Sequence, residues 1–437
     1  MRVEDEAQSL APVTDAVTGE SSISIWGGVE CTCNRVGDRY FDQFQLSGHH
    51  ERISDLEMIA SLGINTLRAG IPWERHACDP SWQFSDNWFR TMRELGIRPI
   101  AGLVHHGSGP EFTSLVDPRF PELLAEYAGQ VARRYPWIDA YTPVNEPHTT
   151  ARFSGLYGLW YPHHRTHRSF LQALLNELKA TVLCMRAIRE VHPEAQLIQT
   201  DDFGFASGTP ELQPMCSLLN LRRWLPIDLL CGSVGIDHPM YAYMISKGIP
   251  VADILWFQEN PCPPDIVGIN YYLTSDRYLD HRIERYPGDR RSAEGEFVDI
   301  EAVRVHSAKF RGFEGVLLDA WNRHHIPLAI TEVHLGGSTA DQIRWAAEAW
   351  QGIMSARRQG VSCTAITFWA LLGSFYWDRL VTCENGHYEH GAFDLRDGRI
   401  VETELADVIS EMAAGSFSGH PALSNRGWWH WDDRFHF

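Results

Sequence analysis

Residues 99–145 hold three pieces in order: Pro-Ile-Ala-Gly-Leu-Val (Pro99–Val104), a stretch of helical spacing over 117–135, and Ala-Tyr-Thr-Pro-Val-Asn (Ala140–Asn145). Two short apolar runs separated by a helix-length segment read as a βαβ unit, because parallel strands need a long crossover whereas a hairpin closes in a few residues. The unit repeats in both directions. Upstream, Ser24–Val29 (SIWGGV) and Asn65–Gly70 (NTLRAG) read as strands. Helical spacing over 51–62 stops at Gly63, and that over Asp86–Leu95 stops at Gly96, both C-cap signals. Downstream, Gln196–Thr200 (QLIQT), Ile266–Asn270 (IVGIN), Leu328–Thr331 (LAIT) and Ala365–Trp369 (AITFW) read as strands, and 167–192, 310–325, 341–359 and 403–413 as helices. Eight strands, each followed by helical sequence, predict an α/β fold of the closed (β/α)8 TIM-barrel type. A doubly wound sheet is the other arrangement of such units. It would want a glycine-rich phosphate turn after the first strand, and Trp26–Val29 (WGGV) followed by Glu30 is not one.

A length of 437 residues suits one barrel carrying insertions. Residues 203–264 form the longest excursion, between strands five and six, and contain helical sequence of their own. The expected organisation is a flexible N-terminal arm over 1–20, a barrel over 21–414, and an aromatic-rich tail over 415–437 that folds back on the barrel or joins a contact in a homo-oligomer. Lys plus Arg total 38 against 56 Asp plus Glu, a formal net charge of −18 that argues against nucleic-acid or anionic-membrane partners and leaves a neutral small molecule open. The 9 cysteines are scattered without C-x-x-C spacing, which fits reduced thiols better than a disulfide framework or a zinc site. Residues 1–20 have neither a basic n-region nor an apolar h-region, and no run is long and apolar enough to span a membrane, so a cytoplasmic location is expected.

In a barrel of this kind, chemistry sits where the strands end at the C-terminal face. Strand two ends near Arg68, strand three at His105 and His106, strand four at Asn145 and Glu146, strand six at Asn270, Tyr271 and Tyr272, strand seven at Glu332 and strand eight at Trp369. Glu146 and Glu332 therefore face each other across the mouth. Facing carboxyls are what glycoside hydrolysis requires, one protonated to assist the leaving oxygen and one ionised to attack or to stabilise the oxocarbenium-like transition state. Adjacent strand residues point to opposite faces, so at most one of His105 and His106 is expected to enter the mouth. There is no H-E-x-x-H, and no lysine closes a strand, which disfavours a metallohydrolase or a Schiff-base aldolase; no metal or cofactor is expected. The other histidine pairs, His49–His50, His163–His164 and His324–His325, read as surface or rim residues.

These strand ends carry a resemblance. Tyr141–Pro147 (YTPVNEP) resembles the T-F-N-E-P signature of glycoside hydrolase family 1, and Ile330–Val333 (ITEV) resembles its I-T-E-N-G segment. Asp265–Tyr272 (DIVGINYY) is similar to D-F-I-G-I-N-Y-Y, Phe368–Trp377 (FWALLGSFYW) to W-S-L-L-D-N-F-E-W, and Ile25–Gly28 (IWGG) to the opening L-W-G-A. The segments fall in the family's order from about Trp26 to about Leu395. The resemblance implies a retaining β-glycosidase acting on a small-molecule glycoside or oligosaccharide, with Glu146 as acid/base and Glu332 as nucleophile. It further implies Asn145 at the sugar 2-hydroxyl, His105 at the 3-hydroxyl, Arg68 and Tyr272 against the nucleophile, Asn270 among the substrate-binding residues, and Trp369 as the stacking floor.

Three positions depart from the family pattern. Asn34 stands where the family has a sugar-gripping Gln, Tyr376 replaces the Glu of N-F-E-W beside a retained Trp377, and His148 replaces the Trp after N-E-P. Losing a carboxylate at 376 removes a strong acceptor for a 6-hydroxymethyl group. A glycone other than plain glucose is expected, such as a 6-deoxy sugar, a pentose or a substituted sugar. The altered rim also leaves open a sugar-binding or scaffold protein on the same barrel without turnover.

Overall fold

The computed structural model describes residues 23–434 apart from 306, 307 and 309. Eight parallel strands close into a barrel: β1 Ser24–Gly28, β2 Thr66–Gly70, β3 Arg98–His105, β4 Ala140–Asn145, β5 Gln196–Asp202, β6 Ile266–Asn270, β7 Leu328–Val333 and β8 Cys363–Phe368. Neighbours in sequence are neighbours in the barrel, and β1 closes it against both β2 (Gly27 opposite Leu67) and β8 (Ser24 opposite Ala365). The predicted N-terminal arm over 1–20 lies outside the described residues.

The helices that follow the strands are α1 Ser54–Ser61, α2 Gln83–Glu94, α3 Phe120–Arg134, α4 His167–Arg189, α5 Val251–Glu259, α6 Gly312–His324, α7 Thr339–Arg358 and α8 Glu404–Ala413. Their apolar stripes, such as Leu124, Ala128, Val131 and Ala132 on α3, bury against the outside of the barrel and form the main core. Inside the barrel, Trp26, Ile100, Ala140, Ile198, Ala329 and Ala365 form a separate apolar plug beneath the mouth. A packed interior of this kind leaves the C-terminal ends of the strands as the place for polar groups.

The excursion between β5 and β6 supplies three further helices before α5, at Gln213–Arg222, Leu225–Leu230 and Pro239–Ser246. A small sheet orders Val298–Glu301, Arg277–Asp280 and Ala206–Gly208 beside it. The tail folds back: Trp429 is buried edge-on against Trp345 of α7, its indole N–H donates to Glu348 at 2.8 Å, and Arg344 donates to the Ala422 carbonyl at 2.8 Å. Two of the histidine pairs differ from expectation. His49 is fully buried and bonds Asp55 at 2.6 Å, and the His324 side chain is buried at 3.0 Å from Asp228. In each, an acidic partner inside the fold satisfies one ring nitrogen.

Candidate active site

The mouth is organised by Arg68 at the end of β2. Its Nη1 donates to Glu332 Oε1 at 2.8 Å and to the Thr331 carbonyl at 2.7 Å, and its Nη2 donates to Asn145 Oδ1 at 2.7 Å. One planar guanidinium thereby ties β2 to β4 and β7, which a flexible ammonium does not do with the same geometry. The Tyr272 hydroxyl donates to the other oxygen of Glu332. The β7 ladder changes register between Ile330 and Glu332 against β6, and between Ile330 and Val333 against β8. Such irregularities re-aim a side chain at a strand end, here the carboxyl of Glu332.

Glu146 follows β4 in the left-handed region, with φ of 46°, and caps the short helix Pro147–Ala151. The strained backbone turns its carboxyl into the mouth rather than along the barrel wall. Oε1 accepts from Asn270 Nδ2 at 2.6 Å, and Asn270 Oδ1 in turn accepts from the Thr331 hydroxyl at 2.7 Å. Asn145 Oδ1 also receives the Thr200 hydroxyl at 2.7 Å, which fixes the amide so that Nδ2 faces the two histidines.

The electrostatics of the two carboxyls differ. Burial pushes the Glu146 carboxyl well above the usual range, and the negative charges of Glu332, Asp202 and Asp201 push it the same way, against a hydrogen bond from the Asn270 amide. Burial also raises Glu332, but the Arg68 charge and hydrogen bonds from Tyr272 and Arg68 oppose it. The surroundings thus favour a proton on Glu146 over one on Glu332.

His105 lies parallel to Trp369 at 5.0 Å between ring centroids, and its Nε2 is 3.2 Å from Asn145 Nδ2. His106 enters the mouth as well, contrary to the alternation rule. Its φ of 53° ends the strand pattern at His105 and swings the second ring to the same side, 4.8 Å from the first. His106 Nε2 is 3.7 Å from Glu146 Oε2, and its Nδ1 bonds the Thr150 hydroxyl at 3.1 Å. Burial lowers both rings, His106 to about 3, so both are neutral near pH 7.

The rim positions are placed as follows. Asn34 is buried and spends Nδ2 on the Val381 carbonyl at 3.0 Å, while its Oδ1 has no hydrogen-bond partner in the protein. Tyr376, at φ of 64°, is partly exposed and turns the chain into Trp377, whose indole N–H donates to Glu30 at 3.0 Å. His148 is buried with its ring 5.8 Å from Phe170, and its backbone N–H donates to Asp201. Sequence reasoning missed Glu30 and His106. The strand-end rule would have found Glu30, because it closes the first strand two residues after Gly28; His106 needed a backbone angle that no spacing reveals.

No family model matches the chain. Beta-glucosidase 47 of Arabidopsis thaliana is 21% identical over 427 residues, covering 85% of this chain and 77% of that protein. Over most of its length the chain is thus similar in sequence to a plant β-glucosidase. Its fold is that of the family 1 β-glucosidase from Thermotoga maritima, with a TM-score of 0.69 at 18% identity over 83% of this chain and 86% of that one. The T. maritima family 1 glycoside hydrolase complexed with a cyclophellitol analogue transition state mimic superposes with a TM-score of 0.73 at 16% identity, covering 91% of this chain and 98% of that one. At these identities the structural likeness is one of fold, and the chemistry of this chain rests on its own side chains.

Proposed function

We propose that the protein is a retaining β-glycosidase working by double displacement. The carrying observation is the unequal surroundings of the two carboxyls: Glu332 meets a guanidinium and a phenol, whereas Glu146 meets an amide and a neutral imidazole. In the first step the Glu332 carboxylate attacks the anomeric carbon, the bond from that carbon to the aglycone oxygen breaks, and Glu146 gives its proton to the departing oxygen. The mouth then holds one negative charge fewer beside Glu146, so its acidity rises and it becomes a base. In the second step water loses a proton to Glu146 and attacks the anomeric carbon, and the bond to Glu332 breaks. Asn145, His105, Asn270, Tyr272 and Arg68 would hold the glycone or the nucleophile, and Trp369, lying against His105, would floor the site.

The glycone follows from the rim. Tyr376 presents a ring where a carboxylate would grip a hydroxymethyl group, which favours a 6-deoxy, pentose or substituted sugar. A panel of nitrophenyl β-glycosides tests this part: fastest turnover of the glucoside with a free 6-hydroxyl overturns it. The mechanism is tested with 2-deoxy-2-fluoro glycosyl fluorides and intact mass. A gain of one glycosyl unit at Glu332, absent in Glu332→Gln, is expected. The rebuilt rim also favours one second reading, a sugar-binding protein without turnover; a shift in melting temperature with no adduct would select it.

A further inference from the structure

Glu30 is a third carboxyl in the mouth, and the two-step chemistry above does not use it. It is 4% exposed. Gly28, at the end of β1, sets its position: a Cβ there would stand 2.2 Å from the Trp369 ring, so the bare backbone lets the strand end lie against the indole. Oε1 accepts the Thr32 N–H at 2.8 Å, and Oε2 accepts the Trp377 indole N–H at 3.0 Å. His105 Nε2 stands 3.9 Å from Oε1. A carboxylate has about four acceptor positions; the Thr32 and Trp377 N–H groups fill two of them, and the Trp369 indole is a further donor beside it. Among the described residues no Arg or Lys pairs with Glu30, and His105 is held neutral by burial. A buried carboxyl without a cation is costly unless donors surround it. His105 thus stands nearest one oxygen and Trp377 bonds the other, while Asn34 has committed its amide N–H to Val381.

We propose that Glu30 is a substrate-binding residue whose carboxyl oxygens accept hydrogen bonds from glycone hydroxyls between His105 and Trp377. This rests on the glycosidase reading and deepens it. Glu30 would select a sugar that offers hydroxyl hydrogens at that edge, while Tyr376 relaxes the demand for a hydroxymethyl group.

The test uses nitrophenyl β-glycosides of the preferred sugar, each lacking one ring hydroxyl, against wild type, Glu30→Ala, Glu30→Gln and Trp377→Phe. In wild type, one deoxy sugar is expected to lose about tenfold or more in kcat/KM, the scale of a hydrogen bond to a charged group. In Glu30→Ala the same deletion should cost less than about threefold, because its partner is gone. If Glu30→Ala does not fold, Glu30→Gln carries the test, and the penalty should fall by about threefold there. Trp377→Phe removes the indole N–H and leaves the carboxyl, so the penalty should persist. Equal deoxy penalties in wild type and the Glu30 variants, no penalty in wild type, or a penalty lost in Trp377→Phe would each overturn the proposal. The underlying reading fails separately, if wild type forms no glycosyl adduct at Glu332.

Discussion

At the floor of the mouth, Arg68, Asn145, Glu146, Asn270 and Glu332 stand on or directly after four barrel strands and bond to one another across them. At the rim, Asn34 stands on the short strand Cys33–Val36, and Tyr376 and Trp377 stand in a turn with left-handed backbone at Tyr376, Leu380 and Val381. The floor's geometry is set by the ladder, because moving one strand end breaks bonds to two others. The rim's geometry is set by local turns, which accept different side chains without disturbing the barrel. In the proposed reaction the bond-making groups belong to the rigid region and sugar choice to the adaptable one. The comparison predicts that floor substitutions change rate by orders of magnitude, whereas rim substitutions redistribute preference among sugars.

The largest effect is expected at Glu332. Glu332→Gln keeps the shape and removes the charge that Arg68 faces. Loss of a covalent nucleophile should lower kcat on the order of 10⁴-fold or more, read with the best nitrophenyl glycoside. A loss under about tenfold would mean that the floor does not carry the reaction. Glu146→Gln should cost about 10²–10⁴-fold, and less with leaving groups acidic enough to depart unprotonated. The pH profile adds a sign. In the proposed first step Glu146 must hold its proton, and its carboxyl is raised by burial and by Glu332, so kcat/KM is expected to fall as pH rises through the Glu146 value. It also falls at low pH as Glu332 takes up a proton. Glu146→Gln should remove the alkaline limb and leave the acid one.

Much of the floor could be read from sequence, because each group lies at the end of an apolar run and the barrel rule says where such ends go. The alternation of β3 is the instructive failure. It places His105 and His106 on opposite faces, and the rule holds only while the backbone stays extended; a positive φ at His106 puts both rings in the mouth. The rim resisted for another reason. The positions of Asn34 and Tyr376 matched a motif by count, yet what Asn34 touches depends on Val381, 347 residues away. Glu30 was within reach of the strand-end rule and was weighed only as part of a phosphate turn.

A sharper test of the boundary lies in the loop after β3 that brings His106 inward. Glu74 is buried behind that loop and accepts the Gly109 N–H at 3.1 Å. Burial raises its carboxyl from the ordinary 4.5 to about 8. The folded protein therefore keeps a proton between those values that the unfolded chain releases. The associated stability is complete below pH 4.5 and is lost as pH rises to about 8, at roughly 1 kcal/mol per pH unit. Asp201, also raised to about 8 by burial, adds in the same direction. Urea unfolding at pH 5 and pH 8 should show wild type less stable at the higher pH. Glu74→Gln keeps an oxygen for Gly109 and should shrink the difference; an unchanged difference would remove Glu74 from its origin.

The smallest effect is expected at Tyr376. The ring packs 6.0 Å from Phe375 and is partly exposed, and the residue's fixed contact is a backbone one, its N–H donating to the His387 carbonyl at 3.1 Å. Tyr376→Phe keeps the ring and that backbone bond, so kcat/KM for the preferred glycoside should change by less than about threefold, within the range of one weak hydrogen bond. Tyr376→Glu should instead raise the ratio of glucoside to 6-deoxyglucoside turnover, since a carboxylate can accept from the 6-hydroxyl. If Tyr376→Phe falls as far as a floor variant, the phenol itself holds substrate, and the division between a rigid reacting floor and an adaptable rim fails at its most altered position.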